Sequence, residues 1–233
     1  MYPHEFTNIH PFVQRVALDM VRYGYWYYVT GKIPEGKDPE VVDAKIMGKY
    51  DIGCSRWARA RRKKKGLANV HYVRHQEFFA MFATKGQHEW FEQEEWACEK
   101  KRKATGGRIR DIRRQPLARG GYTISFKECS STGRGHVAVR IHPEDYRSLK
   151  GFFLELAVRC SVGQLVNELN QFPFEPYAGI RQQRWNIVQA VNKTRKRAGL
   201  ELIDPAVLRK KRRVYKLFHP VVTQQEDQVE VAA

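Results

Sequence analysis

Apolar positions along the first third of the chain change period several times, and each change marks an element. Phe12, Val16, Met20 and Tyr23 recur at spacings of three and four, which predicts a helix over 11–23 with one apolar face and a stop at Gly24. Tyr25, Trp26, Tyr27, Tyr28, Val29 and Thr30 are aromatic or β-branched and read as a short strand ending at Gly31. After a loop over 31–38, Asp38 followed by Pro39 is an N-cap pairing, and Val42, Ile46 and Tyr50 carry a second helix. Residues 51–54 form a turn, Ser55 caps a third helix over 56–65, and Gly66 ends it. Val70, Tyr72 and Arg74 alternate with His71, Val73 and His75; a turn at Gln76 and Glu77 leads to a returning strand over 78–84, giving a hairpin.

The pattern lapses over 93–119, where Lys100 to Lys103, Gly106, Gly107 and several arginines stand among few large apolar residues, as in a basic linker. It resumes with strands 121–127 and 136–141 around a polar turn at 130–135. Pro143 then opens a helix with Tyr146, Leu149, Phe153, Leu156 and Ala157 on one face. A shorter helix over 162–169, a Phe- and Pro-rich break, a helix from 177 to about 198, a turn at 205–208 and a strand over 214–218 follow. The expected organisation is α+β: an N-terminal helix-turn-helix unit with a hairpin (1–92), the linker (93–119), a mixed hairpin-plus-helices second domain (120–220) and a tail (221–233).

Composition narrows the function. Forty-two Lys and Arg against 25 Asp and Glu give a formal charge of +17, an excess that favours a polyanionic partner, since each docked cation releases counterions from phosphate. No apolar run nears the roughly 20 residues of a membrane span, so the expectation is a cytoplasmic, nucleoid-associated protein. Cys54, Cys98, Cys129 and Cys160 contain no C-x-x-C pair, so no zinc ribbon is encoded. Gly106-Gly107 lacks the following Lys-Ser or Lys-Thr of a nucleotide-binding loop; neither ATP nor any other cofactor is implied.

The charge is densest in the third helix, where seven of the ten residues 56–65 are Lys or Arg. If Trp57 and Ala60 pack inward on Ile46, Tyr50 and Ile52, then Arg56, Arg59 and Arg62 point out as candidates for base edges. Arginine pairs bidentately with guanine O6 and N7. Lys63, Lys64 and Lys65, at the end where cations suit the helix dipole, are candidates for phosphate. Arg74 and His75 near the hairpin tip, and the run Arg209, Lys210, Lys211, Arg212 and Arg213, are further phosphate candidates. The succession of helix, strand, helix, turn, helix and hairpin over 11–84 resembles winged helix-turn-helix DNA-binding proteins. The whole chain is also similar in plan to replication initiators of plasmids and other mobile elements. These resemblances imply a sequence-specific duplex-DNA-binding regulator or initiator. Separately, the apolar helix 146–158 could serve as the face of a homodimer.

Two other readings compete. Tyr25, Trp26, Tyr27 and Tyr28 could stack on unpaired RNA bases if their strand were exposed. A rolling-circle type of endonuclease could be built from His136, His142 and Tyr146, but the histidines stand six positions apart, about 20 Å along a strand, too far to share one metal. The expectation is therefore a binding protein, not an enzyme.

Overall fold

The computed structural model describes residues 4–93, 109–128, 133–208 and 215. They form a mixed α+β structure with two sheets. The first sheet has the strand order β1-β3-β4-β2-β5, built from β1 (Glu5–Phe6), β2 (Tyr25–Lys32), β3 (Val70–His75), β4 (Phe78–Thr84) and β5 (Arg110–Asp111). The second is the antiparallel meander β6 (Leu117–Arg119), β7 (Tyr122–Glu128) and β8 (Gly135–Ile141). Among the described residues no helix is long and apolar enough to cross a membrane.

The helix expected over 11–23 begins as α1 (Ile9–Gln14), capped by Asn8, widens into a π-helical stretch (Arg15–Met20), and ends in a 3-10 turn (Val21–Tyr23) on Gly24, whose φ of 94° suits glycine. It is buried on more than the expected face. Val13, Ala17 and Val21 are as inaccessible as Phe12, Val16 and Met20, whereas Tyr23, assigned to the apolar stripe, is 63% exposed. The reason is tertiary: this segment is sandwiched between the two sheets, in one core that joins Phe12, Tyr28 and Phe82 to Leu117, Tyr122, Ile124 and Val139. An element with apolar contacts all round is a central one.

The region expected to be a linker is correspondingly more structured at its end. β5 pairs with β2 and β6 opens the second sheet, so 109–119 stitch the two halves together; 94–108 lie outside the described residues. The opposite face of the first sheet carries a second core, with Val29, Tyr72, Met81 and Ala83 packed on Tyr50, Ile52 and Trp90. Gly31 sits opposite Phe79, whose ring lies 2.4 Å from where a Cβ would be, so a side chain here requires that ring to move.

Between β2 and β3 run α2 (Pro39–Lys49), capped by Asp38, and α3 (Arg56–Lys64), capped by Ser55. In α2 the expected apolar face is only half-buried, and the single buried residue is Asp43. Its carboxylate accepts from Arg74 Nε at 2.9 Å, from the Tyr72 hydroxyl and from His4 at 3.2 Å, while Arg74 also reaches Glu5 at 2.9 Å. Burial pushes the Asp43 carboxyl up, but the hydrogen bonds from His4, Tyr72 and Arg74 outweigh it and hold the group below the usual range. An ion pair thus fastens this helix to the sheet.

The second half ends in three helices, α4 (Pro143–Leu156), α5 (Val162–Asn170, opened by a Ser161/Gln164 capping box) and α6 (Ala178–Arg197). Phe153, Leu165, Leu169, Ile187 and Val191 form their core. Of the face proposed for a homodimer, Tyr146, Leu149, Phe153, Leu156 and Ala157 pack inside, leaving Phe152 and Val158 about half exposed. The strand expected at 214–218 and the tail lie outside the described residues except Tyr215, whose backbone is gripped at both ends by the Gln14 amide.

Candidate nucleic-acid interface

The candidate interface is built on α3, whose start, end and cap agree with the sequence reading. Its side chains divide into three stripes, and the division differs from the one expected. None of them is buried. Trp57, assigned to the inner face, is 79% exposed, and Ala60 is exposed as well. The inward stripe consists of Ala58 and Arg62, with Arg59 at its edge, because the helix is held by polar contacts and needs no large apolar side chain there.

Arg62 forms an ion pair with Asp51 and reaches the Cys54 sulfur at 3.5 Å; Asp51 itself adopts a φ of 44° in the turn before the helix. Arg59 donates to the Ile52 carbonyl at 3.5 Å, and the Arg59 carbonyl accepts from Asn69 Nδ2 at 3.2 Å. Two of the three residues expected to read bases are therefore half-buried against the body, and only Arg56 is exposed. A second stripe, Arg56, Arg59, Ala60 and Lys63, faces a cleft. The third, Trp57, Arg61 and Lys64, recurs at i, i+4 and i+7 and faces solvent with Lys65 beyond it. Among the described residues no acid pairs with Arg56, Arg61, Lys63, Lys64 or Lys65.

The cleft has a volume of about 700 Å³ and lies between α3, the Arg15–Met20 segment and the ends of β2, β3 and β4. Arg15, paired with Asp19 at 2.9 Å, stands on the wall opposite the α3 cations. Tyr23 stands at its mouth, and Tyr25, Asn69, His71 and Thr84 form its floor. The Tyr25 and His71 rings lie 4.6 Å apart. Burial, reinforced by the positive charges of Arg59 and Arg15, pushes His71 down to about 3, so its imidazole is neutral at ordinary pH. The Asn69 backbone N–H donates to Thr84 Oγ1 at 2.9 Å, while its side-chain Oδ1, in a residue 4% exposed, accepts no hydrogen bond from the described residues.

The phosphate role expected for Arg74 and His75 is corrected. The hairpin exists, with its turn at Gln76 and Glu77 and Gln76 at a φ of 57°, but every residue of β3 is buried. Arg74 is neutralised by Asp43 and Glu5. His75 packs on Phe12, sits 3.3 Å from an Arg119 nitrogen, and is pushed down first by burial and then by that arginine. The cause is β1, which pairs in parallel with β3 and covers what the sequence presents as a free wing. Arg209, Lys210, Lys211, Arg212 and Arg213 lie outside the described residues.

Of the strand proposed to stack RNA bases, Tyr25, Tyr28 and Val29 are core, and Trp26 and Tyr27 are partly covered, Trp26 by the Arg113 guanidinium 4.4 Å from its ring. His136 and His142 lie at and just beyond opposite ends of β8, and Tyr146 is half-buried one helical turn past His142. Among the described residues no group of three His, Cys, Asp or Glu converges as metal ligands. Sequence reasoning missed Trp57 and Arg61; their signal is the 57, 61, 64 repeat, which puts one aromatic among cations on a single stripe. The sequence matches no protein-family model, and a search of curated proteins finds no match.

Proposed function

We propose that the protein binds duplex DNA by laying α3 in the major groove, as a sequence-specific regulator or replication-initiator-like factor. The observation that carries this reading is a short capped helix with no buried side chain, presenting Arg56, Trp57, Arg61 and Lys63 to Lys65 to solvent without acidic partners among the described residues. Cations held on a rigid helix and left unneutralised are what phosphate attracts. The arrangement around it supports a winged helix-turn-helix. The turn over 51–55 holds α3 through Arg62 on Asp51 and Arg59 on the Ile52 carbonyl, and the hairpin β3-β4 pairs with β2 through β4. Arg56 and Arg61 are then the base-reading candidates, Lys63, Lys64 and Lys65 hold phosphate, and Arg62 fixes the turn.

Selection from a random duplex pool tests the reading. A recovered consensus whose preference relaxes in Arg56→Ala, with about 1–3 kcal/mol lost on the preferred site, is the expected result. Recovery of no consensus, with single-stranded RNA bound as tightly as duplex, favours a second reading in which exposed Trp57 stacks on unpaired bases.

A further inference from the structure

The cleft behind α3 is more than a gap beside a helix. Its volume of about 700 Å³ falls within the roughly 300–1,000 Å³ typical of small-ligand sites. Its chemistry is divided: cations line the α3 wall, aromatic rings stand at the mouth and on the floor, and one buried carbonyl oxygen, Asn69 Oδ1, has no donor among the described residues. A buried acceptor left without a donor costs about 1–3 kcal/mol, which a ligand that donates there recovers. A neutral His71 leaves the positive charge on the wall, so the floor suits an uncharged ring and the wall an anion.

We infer that the cleft holds one unpaired nucleotide unit, its phosphate on Arg59 and Lys63, its base against Tyr23 and Tyr25, and an exocyclic amino group donating to Asn69 Oδ1. The inference deepens the nucleic-acid reading and rests on it for the source of the nucleotide. The unit belongs either to a displaced or bulged residue of bound DNA or to a free mononucleotide; both offer one phosphate joined to one ring. Enzymes and binders that take bases out of a stack use the same pairing of aromatic faces with polar groups that read the base edge. Thymine carries the acceptor O4 where cytosine carries its amino group, so in this pose it sets oxygen against Asn69 Oδ1 and the site discriminates against it.

Two titrations of the full chain test this. One compares a duplex carrying a single bulged cytidine with the same duplex fully paired; the other compares free dCMP, free dTMP and inorganic phosphate. If the nucleotide comes from bound DNA, the bulged duplex binds at least tenfold more tightly, and the preference falls below threefold in Asn69→Leu. Tyr23→Ala, at a position 63% exposed where folding is not at stake, lowers it likewise. If the occupant is a free nucleotide, dCMP saturates the site at least fivefold more tightly than dTMP or phosphate, and the same two variants erase that margin. Absence of both preferences, or persistence in both variants of whichever preference is seen, overturns the inference. Failure of the groove reading looks different: dCMP still binds with its margin over dTMP while neither duplex binds at all.

Discussion

Arg74 on β3 and Arg61 on α3 are the same residue type, and the fold treats them oppositely. Arg74 lies in the sheet against Asp43 and Glu5, its charge compensated and removed from solvent. Arg61 stands in water on a helix with no buried side chain, its charge unanswered by any acid among the described residues. The lesson is that cation density locates a patch but does not say which cations are available. That depends on whether another element, here β1 and α2, comes to cover them.

The largest effect should come from the covered side. Asp43→Asn leaves Arg74 and Tyr72 without their carboxylate and should cost about 3–5 kcal/mol of stability in denaturant unfolding, the range for breaking one partner of a buried ion pair. A loss below about 1 kcal/mol would erase the contrast between the two arginines.

Next is the exposed side. Arg61→Ala should lower duplex affinity by about 1–3 kcal/mol in a binding titration if it reads a base, and leave the melting temperature in place. A drop in melting temperature with unchanged affinity would mean that Arg61 behaves like Arg74.

His71 sharpens the comparison through pH. Its folded-state value is pushed down to about 3 from the ordinary 6.5, so below pH 6.5 the unfolded chain takes up a proton that the folded chain refuses. This contribution is complete above about 6.5 and is lost as pH falls toward 3, at a slope of at most about 1.4 kcal/mol per pH unit. His71→Gln should flatten the stability profile between pH 6 and 4, where Asp43 is still ionised; an unchanged profile would show that His71 is not held neutral.

The smallest effect belongs to Lys64→Ala. Stability should stay within about 0.5 kcal/mol, as for an exposed residue, while the salt dependence of duplex binding flattens by about 0.9 in log-log slope, the amount for one phosphate that is no longer neutralised. A cation that touches nothing leaves that slope unaltered.

Much of the local structure is legible in the sequence because it depends on near neighbours. Asp38 and Ser55 cap α2 and α3 with their own side chains, Gly24 takes the left-handed turn, and the alternation of 70–84 makes a hairpin, all through contacts a few residues long. The candidate site is legible only as a charged helix at 56–64. Which of its faces turns outward is not, because hydrophobicity sorts Trp57 inward while the inward contacts are made by Arg59 and Arg62 with a carbonyl, a sulfur and a carboxylate.

The sequence by itself determined the capped starts of α2 and α3, the hairpin over 70–84 and the large positive charge. Only the tertiary structure decided that α1 is central, that Arg74 and His75 are hidden, and that Arg15, Tyr25 and Asn69 meet across a cleft with α3. Capping and periodicity are short-range and repeat in the chain. Burial of a given charge depends on segments distant along the chain, whose arrival no local pattern encodes.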